Sequence, residues 1–343
     1  MNILLNVFRY AASFHTCYLR HDRIPYSVSL VTDRCQASPS NELRVQFTQM
    51  PSQPPQRNFT VCVTPLNKAY NNPEQLVEMI EVNRMFGAQR FVFYNHTTGT
   101  DILPYLRSYQ EDGLVEVIPW QLPVTSDPWP DDPKIVPEVH YYGQLAALND
   151  CLYRNMLVSR FVVFTDLDEL VVPRGGHATW AEVLEAATRK ELGNPPFDRT
   201  QAFPGAYVIQ NTFFRSDWGD DSRASRDPVV RELNLRTLLK TNRETTIYPW
   251  YSRSKCIVWT KAVFTVGIHA VTGFIDDHRV VVVRVDAADA LVHHYRLTMW
   301  PDDPKNLPRP THDRNMHRFY DEVTNRTLSR HNRLRQRRDP TVS

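Results

Sequence analysis

Four strand-like runs and four helical ones alternate between residues 59 and 192, and this rhythm limits the fold more than any other feature of the chain. FTVCVTP (59–65) reads as a strand that stops at a proline. NNPEQLVEMIEVNRMFG (71–87) reads as a helix: Asn72 can cap it, Pro73 suits its first position, Leu76, Val77 and Ile80 share a side, and Gly87 can end it. RFVFYN (90–95) is a second strand, ILPYLRSYQEDG (102–113) a helix from near Pro104 to Gly113, and LVEVIPW (114–120) a third strand. A proline-rich loop (121–137) follows. YYGQLAALNDCLYRNML (141–157) then sets Leu145, Leu148, Leu152 and Met156 at helical spacing. RFVVFTDLDEL is the fourth strand, and TWAE (179–182) has the form of a capping box opening a helix to about Leu192. Such alternation with short turns predicts an α/β fold, a mostly parallel Rossmann-type sheet flanked by helices.

The fourth strand ends on three carboxylates, Asp166, Asp168 and Glu169, in FVVFTDLDELVVPR (161–174). Like charges that close repel one another unless water solvates them or a cation sits among them. An arbitrary D-x-D is more often a solvated strand end. Here the strand position favours function, because open α/β sheets bind ligands beyond the carboxyl ends of their strands. Two aspartates one residue apart suit Mg2+ or Mn2+ and leave open positions for phosphate oxygens. A haloacid-dehalogenase-type phosphatase also uses D-x-D after a strand. That site wants Thr or Val soon after the second Asp, near the first strand; here Glu169 and Leu170 follow the fourth.

The chain of 343 residues is 42% hydrophobic, ample for a large core, and its net charge of +2 gives no argument for a nucleic-acid partner. The local basic run RTLSRHNRLRQRR (326–338) reads as a solvated helix face or frayed tail. Cys17, Cys35, Cys62, Cys151 and Cys256 show no metal spacing, and their odd number leaves at least one unpaired. Sequons at Asn58, Asn95 and Asn325 point weakly to the secretory pathway. No run approaches about 20 apolar residues, so membrane attachment would need an anchor not visible here. We expect a small N-terminal β module with a linker (1–57), including a strand in YSVSLVTDRC (26–35). A catalytic domain (58–300) and a C-terminal helix with a basic tail (301–343) follow.

Seven segments, VCVTPL (61–66), LVEMIEVNRMFGAQRFVFYNH (76–96), GLVEVIPWQLP (113–123), HYYGQLAALNDCLYR (140–154), FVVFTDLDELVVPR (161–174), GIHAV (267–271) and LVHHYR (291–296), resemble in order the motifs of glycosyltransferase family 92. The resemblance implies a GT-A-like fold. It also implies metal-dependent, inverting transfer of galactose from UDP-galactose to a glycan or glycoprotein acceptor, with Mn2+ or Mg2+ as cofactor. It further implies the Golgi lumen, as a type II membrane protein if an anchor precedes this sequence. A non-catalytic glycan-binding protein on a retained fold is the alternative.

Carried over by motif, Asp168 would bind the metal directly. Asp166 would bind it through water or hold the ribose. His294, of the H-Y-R motif, would complete the metal shell, with His269 a second candidate. Arg296 would grip the diphosphate. Asp150 and Lys255 are candidate nucleotide-sugar contacts, weighed against loop bonding for one and a surface lysine for the other. Trp120 and Tyr142 can stack on sugar or base, or belong to the core. An inverting transferase needs a general base; Glu169, Asp217 and Glu232 are the candidates. The polar segment 215–231 reads as a mobile loop able to close over the donor.

Overall fold

The computed structural model describes residues 9–17, 25–32, 39, 41–45, 54–127, 132, 134–193, 202–276, 278–296 and 309–338. The chain divides into two compact units, Ala12–Pro54 and the remainder. In the smaller unit β1 (Ser27–Val28) pairs antiparallel with β2 (Leu43–Arg44). Of the strand expected in 26–35 only Ser27–Val28 is extended into a pair; 29–32 are not strand, and 33–35 lie outside the described residues, as do 46–53 of the linker.

In the larger unit the expected alternation appears as β3 (Arg57–Val63), α1 (Pro73–Met85), β4 (Arg90–Asn95), α2 (Leu103–Glu111), β5 (Val115–Pro119), α3 (Gln144–Asn155) and β6 (Ser159–Thr165). Then come β7 (Glu169–Pro173), α4 (Trp180–Leu192), β8 (Phe203–Ile209), β9 (Asn211–Arg215), α5 (Pro228–Glu232), α6 (Arg236–Leu239) and β10 (Asn242–Arg243). The described part closes with β11 (Lys255–Trp259), β12 (Val263–Val266), β13 (Val271–Phe274), β14 (Val280–Val285), β15 (Ala290–Arg296), β16 (Thr311–His312) and α7 (Tyr320–Arg338). Local signals act as the sequence suggests. The Asn72 side chain accepts from the Gln75 amide with Pro73 at the helix start. Thr179 and Glu182 form the reciprocal capping box of α4.

Seven strands form one sheet in the order β14-β8-β11-β6-β3-β4-β5, and five form a second, β16-β10-β9-β15-β7. In the first sheet only β11 runs antiparallel to its neighbours. Its strands sort their side chains by period two. Phe59, Val61 and Val63 of β3 face a core shared with α1, α2 and α4, while Cys62 faces one shared with α3. Helices therefore cover both faces, as a parallel sheet requires. Each fully buried Val, Leu or Phe contributes about 1.5–3 kcal/mol. A disulfide, Cys62–Cys151, ties β3 to α3 across the second core.

Two expectations change. The basic C-terminal run is not merely a solvated face: α7 packs on α1 and α2, and the buried Arg330 guanidinium lies 3.8 Å from the centroid of the Tyr109 ring. It also pairs with Asp112, so its alkyl stem and its charge both serve the core edge. The polar segment 215–231 is folded: buried Asp221 accepts from the Arg223 and Ala224 amides and from Arg314, and Asp227 caps α5. Its carboxylates satisfy local backbone donors, which composition alone does not reveal.

Candidate active site

The D-x-D turn is the point at which the chain leaves one sheet and enters the other. β6 ends at Thr165 in the seven-stranded sheet, and β7 begins at Glu169 in the five-stranded one. The Glu169 amide bonds back to the Asp166 carbonyl, and the Thr165 hydroxyl donates to the Glu169 carbonyl, so the turn is closed on itself.

Strand register then brings distant residues to this turn. β15 pairs antiparallel with β7, setting His294 opposite Glu169, and parallel with β9, setting His294 beside Phe213. The Tyr295 amide donates to the Asp168 carbonyl at 2.8 Å. His294 Nε2 consequently lies 3.2 Å from Asp168 Oδ2, and Nδ1 3.1 Å from Glu169 Oε1. On the other side, Lys255 at the start of β11 reaches Asp166 Oδ2 at 2.7 Å and Glu169 Oε2 at 2.8 Å. Thr64, following β3, donates to Asp166 Oδ1 at 2.6 Å. Asn211, at the start of β9, donates to Glu169 Oε1 at 3.3 Å.

Charge follows this geometry. Burial alone would raise the Glu169 carboxyl, but Lys255 and His294 hold it at about 2. Burial would lower His294, yet Asp168 and Glu169 raise it to about 10. Lys255 is likewise raised by Asp166 and Glu169 against its burial. The Tyr141 hydroxyl is pushed up to about 12 by burial and then by Asp166 and Asp168.

Asp168 and His294 are the two side chains here that could face one divalent cation; among the described residues no group of three or more His, Cys, Asp or Glu is arranged to hold one. Asp168 and His294 keep 31% and 20% of their side chains exposed, so neither side chain is closed off from solvent. Adjacent ligands of one octahedral ion with bonds near 2.1 Å lie on the order of 3 Å apart, close to the 3.2 Å between Asp168 Oδ2 and His294 Nε2. Asp166 has one oxygen taken by Thr64 and the other by Lys255, an arrangement that suits an indirect contact better than direct ligation.

The other sequence candidates fall elsewhere. The Lys255 ammonium is 2% exposed and committed to Asp166 and Glu169, so it is neither a surface lysine nor a free phosphate contact. Asp150 accepts from the Tyr94 hydroxyl and from Arg154. Asp217 is held by Arg215 and Glu232 by Arg335; among the described residues neither bonds to Asp166, Asp168 or His294. Glu169 is 2% exposed with both oxygens engaged. Arg296 ends β15, buried, with its guanidinium 4.9 Å from the Phe213 ring centroid. His269 Nδ1 lies 3.2 Å from the Ser254 carbonyl, and burial and then Lys255 lower its pKa. Tyr142 is core, its hydroxyl donating to the Asp127 carbonyl, and Trp120 donates to the Tyr142 carbonyl.

Sequence reading missed Thr64, Asn211 and Tyr141. Tyr141, Tyr142 and Gly143 all have positive φ (41°, 55° and 67°) immediately before α3. That backbone is costly for non-glycine residues and concentrates at functional sites. The single glycine before a helical pattern was the available signal.

Fold and edge cluster together define an α/β protein with a carboxylate–imidazole cluster at a sheet edge. A family model, "Glycosyltransferase family 92", matches residues 57–335, and the chain belongs to that family. It is 24% identical to the beta-1,4-galactosyltransferase galt-1 of Caenorhabditis elegans, over 77% of this chain and 54% of that protein. A glycosyltransferase family 92 protein of the same organism is 29% identical over 45% of this chain and 32% of its own length. The chain thus spans about half or less of the curated relatives it matches. Among solved structures, Staphylococcus aureus TarS (residues 1–349) in complex with UDP-GlcNAc aligns over 70% of this chain and 59% of its own, at 15% identity and TM-score 0.34. The glucosyl-3-phosphoglycerate synthase of Mycobacterium tuberculosis with Mn2+, UDP-glucose and phosphoglyceric acid aligns over 80% and 79%, at 13% identity and TM-score 0.32.

Proposed function

We propose that the chain is the catalytic part of a metal-dependent, inverting glycosyltransferase that moves galactose from UDP-galactose to a hydroxyl of a glycan or glycoprotein acceptor. The observation that carries this reading is the 3.2 Å Asp168–His294 pair, partly exposed at the carboxyl edge of the sheet. Galactose is supported by the galactosyltransferase name of one relative.

Asp168 and His294 would hold Mn2+, or Mg2+, and Asp166 would face it through water. A cation there would balance the charge that develops on the departing diphosphate. The chain's own part is positional. Thr64 and Lys255 keep Asp166 in one rotamer, and the Tyr295 amide fixes the backbone of Asp168. Arg296, held against Phe213 at the end of the same strand as His294, would serve the diphosphate.

A secretory, Golgi-lumenal setting is part of the proposal. The Cys62–Cys151 disulfide supports an oxidising compartment. Among the described residues no helix is long and apolar enough to cross a membrane. The test is a glycan panel incubated with labelled UDP-sugars and Mn2+. Galactose transfer with inverted anomeric configuration is expected. Glycan binding with neither transfer nor UDP-galactose hydrolysis would favour a non-catalytic binding protein.

A further inference from the structure

Glu169 stands between the two arms of the D-x-D. Its Oε2 meets Lys255, which meets Asp166; its Oε1 meets His294, which meets Asp168. The five side chains form an open chain, Asp166–Lys255–Glu169–His294–Asp168, with Glu169 at its centre. It is 2% exposed, and Asn211 and the Asp166 amide supply further donors to its two oxygens. A general base must reach an acceptor hydroxyl and keep a lone pair free for its proton. Glu169 satisfies neither condition.

We propose that Glu169 is a positioning residue: it accepts the Nδ1 proton of His294 and so aims Nε2 toward Asp168, where a divalent cation would displace the Nε2 proton, while its other oxygen anchors the lysine that orients Asp166. The chemistry is that of a histidine ligand whose second nitrogen donates to a carboxylate, which fixes both tautomer and ring plane. The register supports it, because Glu169 and His294 face each other across two paired strands, and a strand ladder holds such a pair better than a loop. Asn211 strengthens the arrangement from β9, so all three strands at the centre of the site converge on one carboxylate.

This inference rests on the metal-dependent reading, and the experiment separates the two. Mn2+ binding is measured calorimetrically on wild type and Glu169→Gln without donor or acceptor, with circular dichroism as the folding control. The expected result is affinity lower by about 10–100-fold in the variant, with kcat largely recovered at saturating Mn2+. In parallel, nitrogen-resolved NMR of the wild type loaded with Zn2+ should find the His294 proton on Nδ1, slow to exchange. This measurement needs no variant and decides the question if Glu169→Gln fails to fold. Unchanged Mn2+ affinity with lost kcat, or a proton on Nε2, overturns the proposal alone. Absence of divalent-cation binding by the wild type overturns the metal reading and the proposal with it.

Discussion

The Lys255 ammonium sits 2.7 Å from an oxygen of Asp166 and 2.8 Å from one of Glu169, closed off from solvent. Removing one side of a buried charge pair leaves the other uncompensated. Lys255→Met should therefore destabilise the protein by about 3–5 kcal/mol, read as a lower urea midpoint. A midpoint equal to wild type would show that the lysine is not required to hold the carboxylates together.

Asp168→Asn should leave the fold intact and reduce UDP-galactose turnover by about 100-fold or more. Its side chain is 31% exposed, so little packing is lost. Near-normal turnover, with circular dichroism unchanged, would remove Asp168 from the metal assignment.

Chelation should abolish activity, and Mn2+ should restore it better than Ca2+, because an imidazole beside a carboxylate suits the softer, smaller ion. His294→Ala should raise the Mn2+ concentration for half activity by about tenfold or more. Activity persisting in excess EDTA would point to a metal-free transferase.

Cys62 and Cys151, with Cα atoms 6.1 Å apart, close a loop of sequence separation 89. Replacing both with alanine should cost about 2–5 kcal/mol. Reduction of the wild type should lower its melting temperature to a similar extent. Equal melting curves for oxidised and reduced protein would contradict the bond's structural role.

Asp313 gives a pH signature. It accepts from Arg174 and Arg243, joining the segment before α7 to the second sheet. Burial raises its carboxyl, but His293 and then Arg174 hold it at about 2. A carboxyl lowered in the folded state contributes stability above its unfolded value, near 4, and loses it as pH falls toward 2. About 2 kcal/mol should disappear over that window. Asp313→Asn should flatten this limb of the stability–pH curve, and an unchanged slope would assign the acid limb to other groups.

Much of the fold was legible because its signals are local. Asn72, Pro73, Thr179 and Glu182 announce helix starts through hydrogen bonds made within one turn. The D-x-D was legible because a strand ended on it. What remained hidden depends on pairing across sequence. Lys255 looks like a surface lysine until β11 is threaded antiparallel beside β6. Glu169 looks like a free carboxylate until β15 sets His294 against it. Asn211 and Thr64 matter only through neighbours supplied by strand order, and short polar motifs do not encode that order.

The turn between β6 and β7 has a consequence for how the protein wears out. Because its carboxylates are aligned by strands from two sheets, the centre exists only while the sheets stay in register with each other. Partial opening along that join would scatter Asp168 and His294 while leaving most helices and strands formed. On heating, loss of the centre should therefore run ahead of the loss of far-ultraviolet circular dichroism. Saturating Mn2+ should draw the two transitions together, the cation acting as a rivet through the join.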